Sequence, residues 1–196
     1  VMGFDISGLN PQLNNDMSKY PILKKWEGNW KDRNDDNKEW VKDRDTYYTE
    51  CDLFQSDNPG DYFRNNVWWW RPLWTYCEHI CGDLLTQDEW EHGSWNDGHE
   101  YDADICKEMA RLLQETIDNG ECKKYQDDYR EWQNSLEPKI CSRCNGNNRG
   151  HNKKKECNVC DSTGETENWN ASYPFDVENV QNFVNFLKEC GGMSIC

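Results

Sequence analysis

Residues 141–160 read CSRCNGNNRGHNKKKECNVC, in which two CxxC pairs are separated by twelve residues. A CxxC turn directs two thiolates at one point, and a second turn of the same kind completes a tetrahedral zinc site. Four thiolates leave no coordination position for water or substrate, which is typical of structural zinc. The spacing therefore predicts one structural Zn²⁺ ion bound by Cys141, Cys144, Cys157 and Cys160. His151 is an alternative ligand that the four cysteines make unnecessary.

The segment around these pairs is basic, whereas the chain as a whole is acidic. There are 37 acidic and 22 basic residues, for a net charge of -15. Such a charge argues against general affinity for DNA or anionic membranes, because that affinity depends on basic surface. The one basic patch contacts a phosphate or an acidic partner, or it is a solvated loop tip; its residues are Arg143, Arg149, Lys153, Lys154 and Lys155.

The composition indicates a folded protein with an aromatic core. Only 35% of the 196 residues are hydrophobic, but 11 are Trp, 9 are Tyr and 6 are Phe. Large rings bury much area each, so a core needs few aliphatic residues. The number of cysteines, 11, is odd, which does not suit a framework of disulfides alone. Residues 1–11 contain no basic and apolar signal sequence. No run approaches the roughly 18 apolar residues that a membrane-spanning helix needs. We therefore expect a reducing cytoplasmic compartment.

Apolar periodicity predicts a mainly helical α+β fold. Helical stripes run over 105–117 and 125–136, which together indicate a helical hairpin, and a third stripe runs over 177–187. We interpret these stripes as core packing. Short strands are predicted near Phe4 and over 193–196, and we expect the two to pair. This places the zinc module at 139–165 as an insertion, between an acidic, aromatic-rich core domain at 1–138 and a returning helix and strand at 166–196.

Residues 24–50 are highly charged and contain Trp26, Trp30 and Trp40. The run of turn-forming residues among them, DRNDDN at 32–37, favours a loop. Two interpretations remain: a solvated, charged insertion, or a binding surface made of aromatic anchors set among charges.

Residues 62–77 read YFRNNVWWWRPLWTYC. Pro72 suits the first turn of a helix, and the apolar spacing over 73–81 is helical. On a strand, the three consecutive tryptophans would alternate between two faces. The stretch is either the aromatic core or a pocket for an anionic ligand, with candidate residues Arg64, Trp68, Trp70, Arg71, Asp97 and His99.

A second metal site near His79, His92 and His99 is conceivable, but their spacing matches no established pattern and favours surface histidines.

Four stretches together resemble a group of small proteins of tailed bacteriophages. They are GFDISGL at 3–9, YFRNNVWWWRPLW at 62–74, the paired CxxC segment, and YPFDVENV at 173–180 with GGMSIC at the C-terminal end. The resemblance covers most of the chain except 24–50. It implies expression in the cytoplasm of an infected bacterium and carries no established activity.

The two cysteine pairs also resemble half of the zinc-binding region of DnaJ-type chaperones, whose repeat is CxxCxGxG. The first pair keeps Gly146 but has Asn148 at the second glycine position, and the second pair has Ser162 at the first and keeps Gly164. The His-Pro-Asp motif of the J domain is absent. The resemblance therefore implies local zinc geometry and not chaperone activity.

These observations favour a non-enzymatic protein that binds a host protein, such as a defence or nucleic-acid-handling complex, and modulates or inhibits it through an acidic, aromatic-rich surface. The sequence contains no Ser/His/Asp order, phosphate loop or HExxH motif. One alternative is a nucleotide- or small-ligand-binding protein or enzyme that uses Arg64, Arg71 and the tryptophans. Another is a nucleic-acid accessory protein that uses the basic zinc loop, and a virion component is a further one.

Overall fold

The computed structural model describes residues 3–147 and 156–196. In chain order the described residues form β1 (Gly3–Gly8), α1 (Pro21–Trp26), α2 (Lys38–Asp57), β2 (Tyr62–Asn66), α3 (Val67–Cys81), α4 (Gln87–His92), β3 (His99–Tyr101), α5 (Ala103–Asp118), α6 (Glu121–Ser135), β4 (Lys139–Ile140), β5 (Glu165–Thr166), α7 (Val177–Glu189) and β6 (Met193–Ile195). The predicted mainly helical α+β class is confirmed.

A four-stranded antiparallel sheet joins the two ends of the chain, in the order β2–β1–β6–β3. Ile6 of β1 lies opposite Phe63 of β2 on one side and Ile195 of β6 on the other. Tyr101 of β3 lies opposite Met193 at the far edge. The predicted pairing of the N-terminal and C-terminal strands is therefore confirmed.

One hydrophobic core joins one face of this sheet to α3, α5 and α7. Because side chains alternate along a strand, Phe4 and Ile6 of β1 face the helices, whereas Asp5 and Ser7 lie on the open face. The core consists mainly of rings and long aliphatic side chains, among them Trp70, Leu73, Met109, Leu113, Phe183 and Leu187.

Local capping explains where the predicted helices begin and end. The Asp102 side chain accepts a hydrogen bond from Ile105 N at 2.9 Å at the start of α5, and Asp176 accepts one from Asn179 N at 2.7 Å at the start of α7. Gly120, at φ 86°, makes the turn between α5 and α6. The hairpin of α5 and α6 is as predicted.

Helix α3 begins at Val67, five residues before the start that Pro72 suggested. The side chain of Asn66 accepts hydrogen bonds from the backbone N–H groups of Trp68 and Trp69, which caps the helix ahead of the tryptophans. Pro72 therefore lies inside the helix, with no N–H to donate to the preceding turn. All three tryptophans are helical, and Trp70 is the one that is fully buried.

The predicted loop over residues 24–50 is correct for 27–37, which form turns and one short 3₁₀ helix, and is wrong for 38–50, which are helical. Helix α2 spans twenty residues, and together with α1 it encloses a second, smaller hydrophobic cluster. The buried residues of α2 recur every seven positions, at Trp40, Tyr47 and Phe54. We call α1, α2 and their shared cluster the aromatic lobe. Whether the lobe is an insertion stays a prediction.

The aromatic stripe of α6 packs less deeply than predicted. Tyr125 and Tyr129 are half-buried, and 44% of Trp132 is exposed. The buried side chains of this helix are Cys122 and Gln126 instead. The stripe thus borders the protein surface.

Candidate metal centre

A two-residue strand pair closes the cysteine-rich segment at its base. Ile140 of β4 lies opposite Glu165 of β5, and Cys141 N donates to Gly164 O at 2.9 Å. This stem extends from the end of α6. It brings together two CxxC turns whose equivalent cysteines are sixteen positions apart in the sequence.

The two turns have the same backbone conformation. Three residues after the second cysteine of each pair, Asn147 N donates to Cys144 O at 2.9 Å and Thr163 N donates to Cys160 O at 2.8 Å. The residue after each second cysteine has positive φ, 48° at Asn145 and 46° at Asp161. The next residue is also left-handed, 75° at Gly146 and 62° at Ser162.

Ser162 adopts a left-handed conformation at the position where the first pair has Gly146. A Cβ in the left-handed region costs roughly 1–2 kcal/mol. The Ser162 hydroxyl accepts a hydrogen bond from Cys157 N at 3.1 Å, which glycine cannot do and which offsets part of that cost.

The sulfur atoms have the spacing of a tetrahedral thiolate site. The Sγ atoms of Cys141 and Cys157 are 3.8 Å apart, and those of Cys144 and Cys160 are 3.7 Å apart. All four lie within 4.8 Å of one another and are buried. A zinc ion with Zn–S bonds of about 2.3 Å places its ligand sulfurs about 3.8 Å apart. A disulfide requires about 2.05 Å, so no two of these four cysteines are joined by a disulfide bond.

The backbone around the cluster supports anionic sulfur. Gly164 N donates to the Sγ atom of Cys160 at 3.3 Å, and such donors orient metal ligands and stabilise their charge. Four protein ligands close the coordination sphere, so a metal held here contributes stability to the module and offers no position for a reacting water.

The three histidines of the conceivable second metal site do not come together, in agreement with their interpretation as surface residues. His92 and His99 stack with ring centroids 4.2 Å apart, and His92 Nδ1 is 2.6 Å from Asp97 Oδ2. That hydrogen bond lowers the pKa of Asp97. His79 lies elsewhere, beside Tyr125. Over 3–147 and 156–196, the four cysteines are the only group of three or more metal-ligating side chains with converging donor atoms.

The predicted ligand-binding residues occupy separate parts of the molecule. Arg64 lies on the open face of the sheet, where its Nε atom is 3.3 Å from Asp5 Oδ1. Asp97 and His99 lie at the β3 edge, which is opposite to the β2 edge that carries Arg64. Trp70 is a core residue whose indole Nε1 donates to Gly93 O at 2.7 Å, so it is not open to a ligand.

Arg71 and Trp68 do share one surface. The Arg71 Nη1 atom donates to the hydroxyl of Tyr173 at 3.0 Å, and the ring of Trp68 lies 4.7 Å from that of Tyr173. These two residues therefore keep the surface position that the pocket hypothesis requires.

A groove of about 340 Å³ runs beside these two residues. We call it the aromatic groove, and its lining residues are Arg71, Pro72, Thr75, Tyr125, Tyr129, Trp132, Asn170 and Tyr173. The spacing of Tyr125, Tyr129 and Trp132 predicts an apolar stripe in the core, and the structure places these three residues in the wall of the groove.

Of the predicted basic patch, Arg143 is exposed in the first CxxC turn. Arg149, Lys153, Lys154 and Lys155 lie outside the described residues, as does His151. Their role therefore stays a prediction.

Comparison with protein-family models, curated proteins and solved structures gives no match to this chain. None of the helices in the described residues has the length and apolar character needed to cross a bilayer.

Proposed function

We propose that this chain is a zinc-stabilised accessory protein of a tailed bacteriophage that binds a host protein in the bacterial cytoplasm and modulates or inhibits it. The observation that carries the proposal is a set of exposed rings beside the stem of the metal module. Trp169 is 65% exposed, and its ring stacks on Trp68 with centroids 6.1 Å apart. Trp and Tyr are enriched at protein interfaces, where they provide much of the binding energy.

The metal module supports this surface by holding the chain that carries it. The segment after β5 returns to α6, where the Gln133 side chain donates to the carbonyl groups of Asn170, Ala171 and Tyr173. A zinc ion bound by the four cysteines would thus hold together the two ends of the segment that connects Trp132 on α6 to Trp169 after β5. In this role the metal positions rings and does not react.

The charge of the chain indicates the character of the partner. A net charge of -15 favours fast, salt-sensitive association with a basic surface, such as the nucleic-acid-binding groove of a host enzyme or defence complex. The resemblance to phage proteins supports expression in the compartment where such a partner is found.

Affinity purification from bacterial lysate at low and high salt tests the proposal. Trp169→Ala is the test variant, and Trp30→Ala is its matched control because Trp30 is also 65% exposed but lies between α1 and α2. We expect a partner that is captured at low salt, retained by Trp30→Ala and lost with Trp169→Ala. Capture of no partner by the wild type at low salt contradicts the proposal.

The aromatic groove is the observation that favours a second candidate, a protein that binds a nucleotide or another small anionic ligand. Its volume falls in the range of about 300–1,000 Å³ typical of ligand sites, and Arg71 supplies a cation beside ring faces. A nucleotide at 100 times its dissociation constant would add about 2.7 kcal/mol of stability. An unchanged melting temperature across a set of nucleotides would contradict this candidate.

A further inference from the structure

We propose that the aromatic groove docks a proline-rich segment of the partner protein in the polyproline II conformation. The inference rests on the proposed function, because it specifies which part of the exposed aromatic surface reads the partner and which chemical class of segment it accepts. Such segments dock in aromatic-lined grooves with little loss of entropy because their extended shape is preformed.

The walls of the groove have the shape that this ligand requires. One wall is the face of α6 that carries Tyr125, Tyr129 and Trp132, whose spacing of four and three residues stacks the rings along the helix. Neighbouring ring centroids are 6.1 Å and 5.3 Å apart. The facing wall is α3, with Pro72 at its centre. A ridge of rings along one direction accommodates successive pyrrolidine rings.

The polar groups of the groove match the hydrogen-bonding character of proline. No lining residue carries a carboxylate, and Arg71 offers guanidinium N–H groups. Neither the Tyr129 hydroxyl nor the indole N–H of Trp132 has a hydrogen-bond partner among the described residues. Burial raises the pKa of Tyr129 to about 12, so its hydroxyl keeps the proton that it donates. Proline lacks an N–H and presents only a carbonyl acceptor, so a proline-rich segment meets donors without leaving donors of its own unpaired.

Charge distinguishes a proline-rich peptide from two other ligands of aromatic sites, a cation and a single-stranded nucleic acid. An aromatic cage for a cation is opposed by Arg71 within the groove. A single-stranded nucleic acid is opposed by the net charge of -15 and by the exposed carboxylate of Glu131, next to Trp132 on α6. The neighbouring Asp127 and Asp128 are each paired with a lysine one turn earlier, Lys123 and Lys124. The negative charge of the chain favours Lys or Arg residues flanking the prolines of a peptide.

Fluorescence anisotropy with a labelled nonaproline peptide flanked by arginines tests the inference. A glycine-serine peptide of equal length and charge and a nine-nucleotide oligothymidylate are the competing probes. We expect the wild type and Trp30→Ala to bind the proline peptide in preference to both others. Trp132→Ala should weaken this binding about tenfold or more. Tyr129→Phe, which keeps the ring and removes the donor, should weaken it severalfold.

The inference is overturned if the wild type does not bind the proline peptide, if it binds the oligothymidylate or the glycine-serine peptide equally well, or if Trp132→Ala binds as the wild type does. Failure here is distinguishable from failure of the proposed function. A partner captured from lysate and lost with Trp169→Ala would leave the proposed function standing even if nonaproline does not bind.

Discussion

Gly93 lies so close to the indole ring of Trp74 that a methyl group on its Cα atom would come to 2.1 Å from Cε2 of that ring. The carbonyl of Gly93 also accepts the hydrogen bond from the indole Nε1 of Trp70. Its φ of -61° is open to any residue. Close approach to the two buried tryptophans of α3, and not a special backbone conformation, is therefore the reason for glycine at this position.

We expect Gly93→Ala to destabilise the fold. The added methyl group must displace the ring of Trp74, and overpacking of this kind costs about 1–3 kcal/mol or more. Urea unfolding measures the effect. Gly82→Ala is the matched control, because Gly82 is helical and a Cβ there meets nothing within 4 Å. We expect this control to be neutral or slightly stabilising, and equal stability of the two variants would contradict the packing argument.

We expect metal analysis to find about one zinc ion per chain. The double substitution Cys141→Ser with Cys157→Ser should abolish zinc binding, because it removes one sulfur from each CxxC pair. Far-UV circular dichroism should keep most of its helical signal, since the main core contains none of the four cysteines. Cys196→Ser, at an exposed cysteine, is the control and should retain the metal. A wild-type preparation that folds with equal stability after removal of its zinc by a chelator would refute the structural role.

Trp40→Ala should open the aromatic lobe before the rest of the protein unfolds. Trp40 is buried and meets Trp26 and Tyr47 edge-on, with ring centroids 5.4 Å and 5.1 Å away. Truncation of a buried tryptophan costs about 3–5 kcal/mol, and the cluster of the lobe is separate from the main core. Hydrogen exchange should show lost protection over residues 21–57 and unchanged protection in α5 and α7. A uniform loss over the whole chain would show that the two clusters unfold as one unit.

The hydrogen bond from His92 to Asp97 should make stability depend on acid pH. It lowers the pKa of Asp97 below its ordinary value of 3.8. A carboxylate with a depressed folded pKa contributes stability that is fully present above its unfolded pKa and is lost as the pH falls through the folded value. Asp97→Asn should therefore be less stable than the wild type at neutral pH, with a difference that closes below pH 3.8.

Urea unfolding of both proteins across this pH range measures the effect. Asp52→Asn, on the exposed face of α2, controls for the simple removal of a negative charge. A difference between wild type and Asp97→Asn that persists unchanged in strong acid would assign the effect to packing.

The cysteine cluster and the helix ends could be predicted because they depend on short-range chemistry. The ligand spacing of two CxxC turns defines a tetrahedral site within twenty residues, and the Sγ distances agree with it. Asp102 and Asp176 cap α5 and α7 through equally short-range contacts, because a cap needs only a side-chain oxygen three residues before an N–H group. Pairing of the terminal strands was also predicted, and the structure shows that it is antiparallel.

The aromatic residues were harder to place because a ring suits a core, a groove or an exposed anchor equally well. Residues 24–50 contain so many charges that they hide a helical pattern. In that pattern, Trp40, Tyr47 and Phe54 of α2 recur every seven positions. In α6, the spacing of Tyr125, Tyr129 and Trp132 indicated an apolar face correctly. It did not indicate that the facing helix leaves room for a groove.

By itself, the sequence determined the fold class, the apolar stripes of α5, α6 and α7 and the set of four cysteines that can hold one metal ion, since each follows from residue type and local spacing. Only the tertiary structure decided which tryptophans are core and which are surface. Trp68 and Trp70 differ by two positions on one helix, yet Trp70 meets Phe4 and Phe183 whereas Trp68 meets Trp169 and Tyr173. Phe4 comes from the N-terminal strand and the other three rings from the C-terminal part of the chain, so the burial of each tryptophan depends on contacts that no local pattern specifies.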